Sequence, residues 1–100
     1  MSFQCVAERV LVLRYFPGDR FPLHTDTPYA LSQSLHSAYT LIIYLNDDFQ
    51  GGRTYFPDLE ATVSPRKGSA LIFAHDLRHE GLAVQAGTKY AIHGFVMYGY

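Results

Sequence analysis

Short runs of β-branched and aromatic residues, cut by Gly- and Pro-containing turns at intervals of roughly ten residues, set the main limit on what this chain can fold into. Residues 6–16 end at Pro17, Gly18 and Asp19, and residues 21–26 follow as a second β-rich run. Residues 39–45 are almost continuously apolar, as are 69–73, the pattern of strands covered on both faces. Residues 53–56, 61–64, 79–84 and 90–98 complete the series, with Gly51 and Gly52, Pro57 and Asp58, 65–68, and Gly87 and Thr88 as punctuation. The spacing predicts an all-β jelly roll or barrel of about eight short strands with few or no helices. Residues 27–37 hold Pro28, Tyr29 and little periodicity, and read as a loop lying as a lid beside His24 and Asp26.

One hundred residues suit one domain spanning 1–100. Its eight Tyr and seven Phe, with no Trp, give an aromatic core suited to pleated sheet. Eight Lys and Arg against nine Asp and Glu leave a net charge of −1, without the basic field that binds nucleic acid. Cys5 is the single cysteine, so no internal disulfide forms, and a reducing, cytoplasmic setting follows. No apolar run approaches the ~18 residues of a membrane span, and the N-terminal stretch does not read as a leader.

Against this framework, His24 and Asp26 stand out. Residues two apart on a strand point to one face, so both can reach one ion. His79 lies fifty-three residues after Asp26 and would join them only in the folded domain. Two neutral imidazoles and one carboxylate on one side of a metal leave open positions, the arrangement of non-haem Fe(II) oxygenases. His75, four residues before His79, is its competitor, and would share a face with it if the segment were helical. His36, His75 and His93 are read as solvated side chains without catalytic duty. Gly51 and Gly52 are read as turn formers, Arg53 and Arg66 as exposed charges, and Asp47 with Asp48 as a polar hairpin tip.

Residues 13–26, Leu-Arg-Tyr-Phe-Pro-Gly-Asp-Arg-Phe-Pro-Leu-His-Thr-Asp, resemble the opening of the catalytic domain of prolyl 4-hydroxylase-like, 2-oxoglutarate- and Fe(II)-dependent oxygenases. Residues 39–46 with Gly51, Gly52, Thr54 and Phe56 are similar to that family's central hairpin. Residues 79–89 resemble its distal histidine and co-substrate anchor, and 90–98 its last strand. The resemblance implies a double-stranded β-helix with His24, Asp26 and His79 as iron ligands. It selects His79 over His75 because Lys89 follows His79 at the family's spacing. Lys89 is then the cation for the far carboxylate of 2-oxoglutarate, with Tyr44 and Thr54 as helpers and Tyr15 nearer the metal. The implied cofactors are Fe(II), 2-oxoglutarate, dioxygen and ascorbate, and the implied reaction is hydroxylation of an organic substrate such as a peptidyl proline. A free amino acid or other small molecule stays open as substrate. Asp26 favours hydroxylation over halogenation, which in related halogenases needs that position free for halide.

Two departures from the family matter. His93, Gly94 and Phe95 stand where many relatives carry a basic residue, a small polar one and an acid. The helices that buttress this fold from the N-terminal side have no counterpart, so the chain is expected to be an excised domain, or to cover an apolar flank with a partner or a second copy of itself. A cupin-like scaffold holding Zn(II) or Mn(II) without turnover is the rival reading. Lys89 discriminates, since a mere metal binder has no need of a buried cation.

Overall fold

The computed structural model describes residues 2–6, 10–26 and 35–99. Their strands are β1 (Ser2–Val6), β2 (Leu11–Tyr15), β3 (Phe21–His24), β4 (Leu35–Tyr44), β5 (Gln50–Gly51), β6 (Thr54–Phe56), β7 (Ala61–Val63), β8 (Ala70–Ala74), β9 (His79–Gly81), β10 (Val84–Ala86) and β11 (Lys89–Gly99). A single 3-10 turn, Pro57–Leu59, joins β6 to β7. One sheet runs β1-β11-β4-β8, with β2 also paired to β11; a second runs β3-β9-β6-β7, and β10 pairs β5. Every pairing is antiparallel, and the result is the expected double-stranded β-helix.

Eleven described strands replace the expected eight or so because β1 lies almost wholly ahead of the 6–16 run, β5 falls within the predicted turn at Gly51 and Gly52, and the 79–84 run divides. In 6–16, β1 ends opposite Val96 and β2 begins opposite His93. In 79–84, the chain leaves the second sheet after Gly81, and Leu82 donates its N–H to the carbonyl of Arg53 (2.8 Å) before β10 pairs elsewhere. β4 starts four residues earlier than the apolar run suggests. Its backbone is paired with β11 as far as Leu35 opposite Gly99, so partner length rather than local composition sets its start. Of the predicted 27–37 loop, 35–37 belong to β4, whereas 27–34, including Tyr29, lie outside the described residues.

Parity along β4 and β11 builds the interior. Thr40, Ile42 and Tyr44 are buried while their alternates are half-buried, and Lys89 and Ala91 are buried on the facing register of β11. Ile42, Tyr44, Phe56, Phe73 and Ala91 form the core cluster, with Val63, Leu71 and Leu77 packed against it. Phe56 of the second sheet meets Phe73 of the first edge-on at 5.1 Å, which locks the two sheets face to face. On the outer side, Val12 and Ile72 are more than half exposed. Among the described residues no helix is long and apolar enough to cross a membrane.

Candidate metal centre

The register of β3 on β9 sets His24 directly opposite His79, with ring centroids 4.2 Å apart. Each ring is steered by the carbonyl two residues before it: Nδ1 of His24 donates to Pro22 (2.6 Å) and Nδ1 of His79 to Leu77 (3.0 Å). A carbonyl only accepts, so each proton sits on Nδ1 and each Nε2 keeps a free lone pair. Both lone-pair atoms face Asp26. His24 Nε2 lies 3.3 Å from one carboxylate oxygen and His79 Nε2 lies 3.6 Å from the other. One ligand atom from each of the three residues lies within 4.8 Å of the others.

Asp26 reaches this point differently from the expectation. β3 ends at His24, and Asp26 follows it outside the strand, its N–H donating to the carbonyl of His75 (3.0 Å). His75 is in a turn after β8, not a helix, so it shares no helical face with His79. The structure groups His79, not His75, with His24 and Asp26.

Aromatic walls close one side. Phe21 stacks on His24 at 4.3 Å, and Phe73 packs edge-on against His79 at 4.5 Å. His79 is buried, whereas His24 and Asp26 are half-buried and open onto a cavity of about 380 Å³. Leu11, Leu13, Phe21, Thr40, His93 and Phe95 line its remaining walls, so it is largely apolar. Two neutral imidazoles and a carboxylate, closed behind and open in front, fit a divalent first-row metal that keeps exchangeable positions.

A narrow recess lined by Tyr15, Ile42, Thr54, His79, Lys89 and His93 leads from the histidines to Lys89. Lys89 is 3% exposed, which rules out the solvent-facing lysine that follows most turns. Its Nζ donates to the carbonyl of Gly52 (2.8 Å) and stands over the rings of Tyr15 (4.7 Å) and Tyr44 (5.7 Å). Tyr44 Oη and Thr54 Oγ1 share a hydrogen bond of 2.7 Å. Burial raises the pKa of both tyrosines, so the phenols stay neutral. Among the described residues no carboxylate comes within ion-pair distance of Lys89. Burial alone lowers its pKa from 10.5 to about 8.

The sequence understated four residues here. Gly52 is more than a turn former: at φ +65° a Cβ there would lie 2.8 Å from Phe49 Cε1 and 3.1 Å from Lys89 Cδ, so its bareness admits the lysine stem that its carbonyl holds. Gly52→Ala is expected to cost about 2 kcal/mol by urea unfolding and to displace Lys89. His75 is buried rather than solvated, with Nδ1 3.0 Å from Thr40 Oγ1 and its ring edge-on to Phe95. His93 is half-buried in both the cavity and the recess, and burial holds its pKa down to about 4, so it is neutral. Thr40 hydrogen-bonds Asp26, a position legible only from its inward parity with Tyr44. The side chain of His36 lies outside the described ones.

Fold and site together define a jelly-roll protein with a two-histidine, one-carboxylate centre. The model of the 2OG-Fe(II) oxygenase superfamily matches residues 10–97, and the chain belongs to that superfamily. Prolyl 4-hydroxylase 1 of Arabidopsis thaliana is 32% identical over 109 residues, a match covering 84% of this chain and 38% of that protein. The 2OG complex of the viral collagen prolyl hydroxylase from Paramecium Bursaria Chlorella virus-1 superposes with a TM-score of 0.78 at 26% identity, covering 98% of this chain and 61% of that one. A cupin protein from Desulfovibrio desulfuricans shares the fold, with a TM-score of 0.58 at 16% identity over 95% of this chain and 80% of its own. The chain thus spans less than half the length of the Arabidopsis relative.

Proposed function

We propose that residues 1–100 form one 2-oxoglutarate- and Fe(II)-dependent dioxygenase domain that hydroxylates an organic substrate, with a peptidyl proline as the first candidate. His24, Asp26 and His79 would hold Fe(II) through Nε2, a carboxylate oxygen and Nε2. Lys89 would take the far carboxylate of 2-oxoglutarate, with Tyr44, Thr54 and Tyr15 around it. Bound Fe(II), with 2-oxoglutarate and dioxygen, supplies the oxidising power to place a hydroxyl on an unactivated carbon. Ascorbate would act as the accessory reductant, and the lone Cys5 suits a reducing compartment in which ferrous iron persists.

The observation that carries this reading is a buried ammonium with no carboxylate partner among the described residues, joined by one recess to the two histidines that converge with Asp26. Burying a lone cation costs free energy that a dianionic ligand recovers when it binds. A scaffold that merely held Zn(II) or Mn(II) would gain nothing from it. The largely apolar cavity on the open side suits an uncharged group such as a pyrrolidine ring, and the names of the relatives support proline.

Anaerobic addition of Fe(II) and 2-oxoglutarate tests the reading through the visible charge-transfer band of the chelate. The band is expected in the wild-type chain and in Arg66→Ala, an exposed control, and absent in His24→Ala. A wild-type chain that binds Fe(II) yet shows neither the band nor succinate release in air would refute it. Hydroxyproline in a proline-containing peptide, read by mass spectrometry, separates peptide from small-molecule substrates.

A further inference from the structure

We infer that Thr40 and His75 are positioning residues for Asp26, a hydrogen-bonded pair that commits one carboxylate oxygen to the protein and leaves the other for the metal. The inference rests on the metal-centre reading above. Its basis is the direction of two bonds. Ionised Asp26 only accepts, so the single proton of the Thr40 hydroxyl goes to Asp26 Oδ2. Thr40 Oγ1 then has only lone pairs to offer His75, and His75 Nδ1 must carry the proton across the 3.0 Å between them.

The backbone closes the same loop, because the Asp26 N–H donates to the carbonyl of His75. Asp26 lies beyond the end of β3 and lacks a strand ladder to orient it, so His75 and Thr40 fix it from both ends of the residue. Thr40 and His75 are 3% and 4% exposed, and Phe95 packs edge-on against His75 at 5.1 Å. The pair is therefore rigid. With Oδ2 engaged by Thr40, Oδ1, the oxygen nearer His24, is the one free to ligate. Outer partners of this kind typically govern metal affinity by 10- to 100-fold.

Anaerobic titration of the apo protein with Co(II), followed by its visible absorption, reads this without any turnover. Thr40→Val is expected to raise the Co(II) Kd roughly 10- to 100-fold and to shift the bands, while Thr40→Ser stays within about threefold of wild type. His75→Asn keeps an N–H near the place of Nδ1 and should lose less affinity than His75→Phe. Thermal unfolding of each apo variant shows whether it folds. Wild-type affinity and unshifted bands in Thr40→Val, alongside loss of Co(II) in Asp26→Ala, would overturn the inference. Should Thr40→Val not fold, equal Kd values for His75→Asn and His75→Phe would overturn it instead. Undiminished Co(II) binding by Asp26→Ala would remove the metal-centre reading and this inference with it.

Discussion

Asp26→Ala and His79→Ala are each expected to lower 2-oxoglutarate-dependent succinate formation by at least about a hundredfold, since even outer partners of metal ligands cost 10- to 100-fold. The two variants should fail for different reasons. Asp26→Ala removes the one negative charge set against the cation and leaves the Thr40 hydroxyl without its acceptor. It keeps the ring packing of the centre, so the apo protein should unfold close to the wild-type temperature. His79→Ala also empties space beside Phe73, whose ring packs on His79 at 4.5 Å, and beside Phe56 at 6.2 Å. A cavity there costs about 2–4 kcal/mol, which shows as an earlier urea midpoint at unchanged slope. Activity above a tenth of wild type in either variant would remove the proposed ligand set.

Much of this site was legible through the family resemblance, which supplied Lys89, Tyr44, Thr54 and Tyr15 as well as the three proposed ligands. Parity adds only that Lys89 and Ala91 share the inward face of one strand. What stayed hidden depended on tertiary pairing. Nothing in residues 35–38 announces a strand; β11 supplies the partner that makes one. The His24 and Asp26 pair was expected to converge because a strand alternates, yet Asp26 is placed by a bond to a turn forty-nine residues away. His75 looked like a spare imidazole, and only the fold shows that its ring meets Thr40 and its carbonyl the N–H of Asp26. Gly52 carried a turn signal that concealed a second duty, since the close approach of the Lys89 stem comes from a strand thirty-seven residues later.

Lys89→Met should separate function from stability, and pH should move the two in opposite directions. In the wild-type chain the ammonium is buried with no counter-anion among the described residues, and the fall of its pKa from 10.5 to about 8 corresponds to roughly 3 kcal/mol of cost below pH 8. Methionine keeps much of the stem's volume and removes the charge, but leaves the Gly52 carbonyl without its donor, which returns about 1 kcal/mol of that cost. The apo variant is therefore expected to be more stable by about 2 kcal/mol at pH 7, or roughly 8–16 °C in Tm. Its 2-oxoglutarate Kd should rise roughly ten- to hundredfold, the loss of one charge-assisted contact. The sign of the pH dependence follows from proton counts. Between pH 8 and 10.5 the unfolded chain holds the Lys89 proton and the folded chain does not, so this group's contribution to stability rises with pH and the advantage of Lys89→Met shrinks. Over the same window the binding-competent ammonium disappears, and the wild-type Kd for 2-oxoglutarate should be about tenfold higher at pH 9 than at pH 7. In Lys89→Met that rise should be absent. A variant no more stable than wild type at pH 7, with a 2-oxoglutarate affinity as steep in pH as before, would show that the anchoring charge resides elsewhere.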